Sequence, residues 1–267
     1  MQLVWHMARG ARHETPNSLA GIDAAIEAGA TRIEVDVRLL ADDDALLTHD
    51  RQLLDGRPVR ALKVAHVTAD GLPTLSAAVR RIEQSDAFLQ VDLKDEMLLT
   101  RDEIRRLVDL IAPLGDRAIV GSMADWNLRM LRSVAPDLQL GFDPLLYFHY
   151  WDERPVDVPF PRQRGGYDYW DDHPLALAGI LSMQDYVATR LDALQATVPR
   201  VDEIMLHHPT LLRAIDDGVD VCGLLHDRGA RVLAWTLDVD DPGAHATFER
   251  LRAAGVDLLV TNTPTGW

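Results

Sequence analysis

Short β-branched or apolar runs alternate with longer segments of helical period along all 267 residues, and this rhythm limits the fold more than any other feature. The candidate strands are Leu3–Met7, Arg32–Val37, Phe88–Leu93, Ala118–Gly121, Leu138–Phe142, Glu203–Leu206, Arg231–Leu237 and Asp257–Thr261. Between them, Asn17–Ala28, Thr74–Ile82, Arg101–Ile111, Ala124–Val134, Leu175–Thr197, Pro209–Arg228 and Pro242–Ala254 repeat apolar residues at three- and four-residue steps. Gly29, Gly229 and Gly255 stand where helices should stop. Eight strands alternating with seven helices predict an α/β fold, a parallel (β/α)8 TIM barrel formed as one domain over residues 1–267. The last strand ends six residues before Trp267, so this barrel is expected to lack its final C-terminal helix. A doubly wound open sheet is the alternative, but the first strand lacks a glycine-rich turn of the dinucleotide-binding type.

The second strand holds the most informative chemistry. In Thr31-Arg-Ile-Glu-Val-Asp-Val-Arg38, alternation sends Glu34 and Asp36 to one face and Ile33, Val35 and Val37 to the other. Adjacent carboxylates raise each other's pKa unless a cation lies between them. His49-Asp50 follows thirteen residues after Asp36, at the end of the apolar run Ala45–Leu47. A diacid with a nearby histidine suggests a divalent metal and an acid/base group at one strand end, the beginning of a phosphoester-cleaving site.

Composition narrows the partners. Lys and Arg number 27 against 42 Asp and Glu, a net charge of −15, so nucleic acid is not an expected partner. A small phosphate compound stays compatible, because a metal and local basic side chains set the field within one cleft. Cys222 is the one cysteine, which leaves neither a disulfide framework nor a cysteine-based zinc site. The apolar runs are too short for an integral membrane segment, and the N-terminus reads as a first strand, so a cytoplasmic protein is expected.

One stretch breaks the rhythm. Phe142 to Trp170 carries nine of the sixteen aromatic residues, several prolines and Gly165-Gly166, marking an aromatic-rich insertion after the fifth strand, about residues 142–173. It is either a long loop packing its own small core or a lid over the non-phosphate part of a substrate.

The chain also resembles the glycerophosphodiester phosphodiesterase family, nearly end to end. Ile33-Glu34-Val35-Asp36-Val37 and His49-Asp50 are similar to its second-strand motif, and Asn17-Ser18-Leu19 with Ala24–Ala30 to its preceding helix. Val91-Asp92-Leu93-Lys94 stands where the family has Glu-x-Lys. Val232–Thr236, Gly255-Val256-Asp257 and Val260–Pro264 match later landmarks, with Asn262 where the family usually carries Asp. The resemblance implies a (β/α)8 barrel that hydrolyses a glycerophosphodiester or related lysophospholipid-type phosphodiester by two-histidine acid/base catalysis. It implies Glu34, Asp36 and Asp92 as ligands of one divalent cation, Mg2+ or Ca2+, with Lys94 beside them.

The first histidine of the family precedes Arg-Gly, and here Ala8-Arg9-Gly10 has alanine in its place. His6 directly follows the apolar residues of the first strand and is the favoured substitute, so His6 and His49 are the expected catalytic pair. Arg9 or Arg12 is the expected phosphate-binding arginine, and His13 a weaker candidate. Trp235 matches a family position lining the substrate, although a strand tryptophan also serves packing. Two other readings stay open: a cyclic-phosphate-forming phospholipase of the sphingomyelinase D-like type, and a catalytically silent barrel binding a phosphate ligand or a partner. A homodimer, or a rearranged segment, is expected at the seam left by the absent last helix.

Overall fold

Strand alternation and helix capping set the local structure, which the computed structural model describes for residues 1–148 and 181–267. Contacts group the chain into two units. One comprises Leu3–Leu140 with Thr261–Trp267, the other Met1–Gln2 with Gly141–Val260.

In the first unit, β1 (Gln2–Trp5) pairs in parallel with β2 (Arg32–Leu39), setting Trp5 opposite Ile33. The run Ala45–Leu47 is itself a strand, β3, antiparallel to β2 with Val37 opposite Leu47. β4 (Phe88–Leu93) lies parallel to β2, and β5 (Ala118–Ser122) parallel to β4. Ile33, Val35, Val37, Leu89, Val91 and Leu93 are buried, and each such side chain contributes about 1.5–3 kcal/mol on leaving water.

The helices of this unit are α1 (Leu19–Glu27), α2 (Val64–Ala69), α3 (Leu75–Glu83), α4 (Arg101–Ile111) and α5 (Asp125–Val134). Ser18 caps α1 and Thr74 caps α3 by accepting from backbone amides, and Thr100 with Glu103 forms a capping box at α4. Gly21 in α1 lies so close to the Ala8 carbonyl that a Cβ there would overlap it.

In the second unit, β6 (Gln139–Phe142), β7 (Glu203–His207), β8 (Arg231–Trp235) and β9 (Leu258–Thr261) pair in parallel in that order. Its helices are α6 (Met183–Thr197), α7 (His208–Asp216), α8 (Val221–His226) and α9 (Ala244–Ala253). The helix expected over Pro209–Arg228 is therefore two. Gly218 takes a left-handed φ of 72° that ends the first, and the Asp220 carboxylate accepts from Gly223 N–H to start the second.

Eight parallel strands alternating with helices among the described residues give the (β/α)8 barrel class expected from the sequence. Beyond β9, the described chain makes one 3-10 turn, Pro264–Gly266. Of the aromatic insertion, Phe142 and Phe148 are buried and the rings of Phe142 and Tyr147 lie 6.4 Å apart. Residues 149–180, with the remaining aromatics, His149, His173 and the expected start of a helix at Leu175, lie outside the described residues. Among the described residues no helix is long and apolar enough to cross a membrane.

Candidate functional site

The register of β2 and β4 assembles the site. Asp36 is opposite Asp92 and Glu34 opposite Gln90, so Glu34, Asp36, Asp92 and, just past the strand, Lys94 share one face. One carboxylate oxygen from each of Glu34, Asp36 and Asp92 lies within 4.8 Å of the others. The Lys94 ammonium is 2.8 Å from Asp92 Oδ2 and 3.1 Å from Asp36 Oδ1.

Neighbours fix the two buried acids. Asn17 donates from its amide to Asp36 Oδ2 at 2.8 Å, and its oxygen accepts from the Asp36 backbone N–H at 2.9 Å. Glu34 Oε2 accepts from the Met7 backbone N–H at 2.7 Å. Glu34 Oε1 is buried without a hydrogen-bond partner, and Asp36 Oδ1 has the Lys94 ion pair but no hydrogen bond.

The electrostatics divide the pair. Burial, followed by the charges of Asp36 and Asp92, pushes the Glu34 carboxyl well above its usual range. Burial would also raise Asp36, yet the Lys94 ammonium and the Asn17 hydrogen bond hold it below the usual range. Lys94 is desolvated too, and Asp92, Asp36 and Glu34 outweigh that and raise its pKa. A cluster with three converging carboxylates and a buried Glu34 Oε1 lacking a donor fits a hard divalent cation, which takes oxygen ligands.

His6 faces this cluster by an unexpected backbone route. The first strand ends at Trp5 rather than Met7, and a 3-10 turn over His6–Ala8 follows, with Met7 at φ 51° and Ala8 at φ 54°. These left-handed conformations turn the Met7 N–H toward Glu34 and its carbonyl toward the Asn17 N–H. The His6 ring then lies with Nε2 3.9 Å from Glu34 Oε2 and Nδ1 2.8 Å from Asn262 Oδ1. Burial lowers the His6 pKa, against the opposing influence of Asp36 and the Asn262 hydrogen bond.

His49 is not brought against the carboxylates. Its ring is exposed, with Nδ1 3.1 Å from Asp50 Oδ1. Its backbone is held near them, because Thr48 N–H donates to the Asp36 carbonyl and Arg38 Nε donates to the His49 carbonyl at 2.9 Å. Arg38 also makes a bidentate pair with Glu96, each contact 3.0 Å.

Arg9 donates to Asn262 Oδ1 and to the Arg12 carbonyl, while Arg12 itself is exposed. Trp235 belongs to the second unit, where its ring lies 4.7 Å from that of His207 and its indole N–H is buried without a hydrogen-bond partner.

Asn17, Arg38, Asn262 and the Met7 amide thus join the site, although nothing in their local sequence gave them a role. Asn17 and Asn262 carried a signal only as a landmark and a departure within the family resemblance.

A sequence model of the Glycerophosphoryl diester phosphodiesterase family matches residues 9–265. The chain belongs to this family. It is thereby a phosphoric diester hydrolase by class. A glycerophosphodiester phosphodiesterase of Caldanaerobacter subterraneus subsp. tengcongensis is 23% identical over 279 residues, covering 96% of this chain and 92% of that protein.

Solved structures share the fold at lower identity. The Oleispira antarctica phosphodiesterase, in complex with the product sn-glycerol-3-phosphate, is 17% identical with a TM-score of 0.66, covering 99% of this chain and 94% of its own. A glycerophosphodiester phosphodiesterase from Parabacteroides distasonis is 20% identical with a TM-score of 0.66, over 99% and 93%.

Proposed function

We propose that this family member hydrolyses a glycerophosphodiester or related lysophospholipid-type phosphodiester with one divalent cation, Mg2+ or Ca2+, and two histidines. The observation that carries the reading is the convergence of Glu34, Asp36 and Asp92 beside the His6 ring. Glu34, Asp36 and Asp92 hold the cation. When bound, it supplies Lewis-acid neutralisation of charge at phosphorus.

The chain's own groups divide the remaining work. Lys94 gives a fixed positive charge to a phosphate oxygen, and Arg9 or Arg12 supplies a further one. One of His6 and His49 takes the proton of the attacking hydroxyl as its oxygen bonds to phosphorus. The other returns a proton to the alkoxide as the second phosphorus–oxygen bond breaks. His49 reaches this role by turning from Asp50, which its exposure permits. The family resemblance at Val232–Thr236 supports Trp235 as a residue contacting the alcohol part of the substrate. The family match over residues 9–265 supports reading the whole chain as one domain. The product seen with the Oleispira enzyme supports sn-glycerol-3-phosphate as the product here.

Turnover of glycerophosphocholine followed by phosphorus NMR tests this. The expected product is a phosphomonoester, with kcat lowered about a hundred-fold or more in His6→Ala and His49→Ala. A cyclic phosphate as the end product would favour the phospholipase-type alternative. Absence of turnover with cation supplied would contradict the proposal.

A further inference from the structure

The Asn262 side chain bridges the first loop and the last strand end by receiving two groups on one atom. Its Oδ1 lies 2.8 Å from His6 Nδ1 and also accepts from an Arg9 guanidinium N–H. Arginine has five donors and no acceptor, so the amide atom that faces it has to be the carbonyl oxygen. The usual ambiguity between amide oxygen and nitrogen is thereby removed. A carbonyl oxygen has no hydrogen to give, so His6 Nδ1 is the donor of the second contact. In a neutral imidazole only one nitrogen carries hydrogen, which leaves Nε2 with the lone pair. That Nε2 is the atom turned to the carboxylate face, 3.9 Å from Glu34 Oε2.

We infer that Asn262, with Arg9 holding its amide in place, is a positioning residue that fixes His6 as the Nδ1–H tautomer and aims its proton-accepting Nε2 at the reacting centre. The inference rests on the proposed role of His6. Asn262 acts through the ring and needs no contact with substrate. An aspartate, the usual family residue here, offers the same acceptor with an added charge; a leucine offers none. The resemblance therefore marks this position, while the geometry says what the amide does there. Arg9 also gains a task besides phosphate binding, since its guanidinium decides which end of the amide faces His6.

Nitrogen-15 NMR of the histidine rings in the full-length protein tests the tautomer directly. The expected wild-type signal for His6, assigned by its loss in His6→Ala, is protonated Nδ1 with unprotonated Nε2. In Asn262→Leu this pattern is expected to relax toward a mixture, with kcat for glycerophosphocholine down about a hundred-fold from misorientation and KM little changed. Asn262→Asp is expected to keep the tautomer and recover most of kcat.

A wild-type His6 protonated on Nε2 alone would overturn the inference, and His6→Gln supplies the same assignment should His6→Ala fail to fold. Unchanged tautomer and unchanged kcat in Asn262→Leu would overturn it as well. Full activity in His6→Ala would instead overturn the catalytic role of His6, and leave the tautomer to be judged by the spectrum.

Discussion

Asn17 and Asp36 exchange two hydrogen bonds, one through the Asp36 carboxylate at 2.8 Å and one through its backbone N–H at 2.9 Å. The second bond ties the loop before α1 to the middle of β2, and the first leaves only Asp36 Oδ1 for Lys94 and a cation. Asn17→Ala leaves a buried N–H without its acceptor, at a cost of about 2 kcal/mol. It also frees the carboxylate to rotate, so cation affinity is expected to fall about ten-fold or more. Urea denaturation and calorimetric titration with Mg2+ measure the two effects; unchanged values in both would show that the amide positions nothing.

Arg38 links the strand to the histidine loop. Its Nε holds the His49 carbonyl while its two terminal nitrogens hold Glu96. Arg38→Met is expected to lower kcat about ten-fold or more by loosening the loop, with a smaller effect on KM. Arg38→Lys is expected to rescue only part of it, because an ammonium cannot form the same fork. Steady-state kinetics on glycerophosphocholine decide this, and equal kcat in all three proteins would contradict it.

The same pair predicts an acid-sensitive step in stability. Partial burial would raise the Glu96 pKa, but hydrogen bonds from Arg38 and Arg51 lower it to about 2 from an ordinary 4.5. A carboxyl depressed by folding stabilises the protein fully above its unfolded value and loses that contribution as pH falls through the folded one. Glu96 should therefore cost stability as pH drops from 4.5 toward about 2. Glu96→Gln should flatten the urea midpoint across that window and lower it at pH about 7. A variant curve with the wild-type slope would contradict the assignment.

Much of this arrangement was legible in the sequence, for a local reason. Alternation along Arg32–Leu39 and Phe88–Leu93 is a property of neighbouring residues, so Glu34 with Asp36, and Asp92 with Lys94, could each be placed on one face of its own strand, while the family resemblance joined the two pairs before any pairing was known. The ring partners of His6 could not. Asn262 is 256 positions away, and the contact depends on two left-handed residues, Met7 and Ala8, that carry no glycine signal. The same turn ended the first strand at Trp5, short of its apolar run. β3 escaped the strand count because three residues show too little periodicity, and pairing with β2 is what defines it. For His49, spacing and the family resemblance suggest a partner of the diacid but say nothing of the ring's direction, which here is toward Asp50.

Gly21 carries a constraint of its own. The Ala8 carbonyl occupies the space a Cβ would need, so Gly21→Ala forces apart α1 and the turn that holds His6 and Met7. The expected cost is about 1–3 kcal/mol of stability from overpacking. Activity should fall as well, because the turn aims both residues at Glu34. Thermal unfolding with kinetics on the same sample checks it; wild-type behaviour in both would mean that the turn tolerates the shift.

The central claim is that Glu34, Asp36 and Asp92 hold the cation on which hydrolysis depends. The most direct measurement is the rate of glycerophosphocholine hydrolysis by chelator-stripped protein as Mg2+ or Ca2+ is restored, in wild type and in Asp92→Asn. The expected result is negligible activity after stripping, saturable recovery in wild type, and a half-saturating cation concentration raised about ten-fold or more in the variant through loss of one charged ligand. Full activity after stripping, or the same half-saturating concentration in both proteins, would contradict the account.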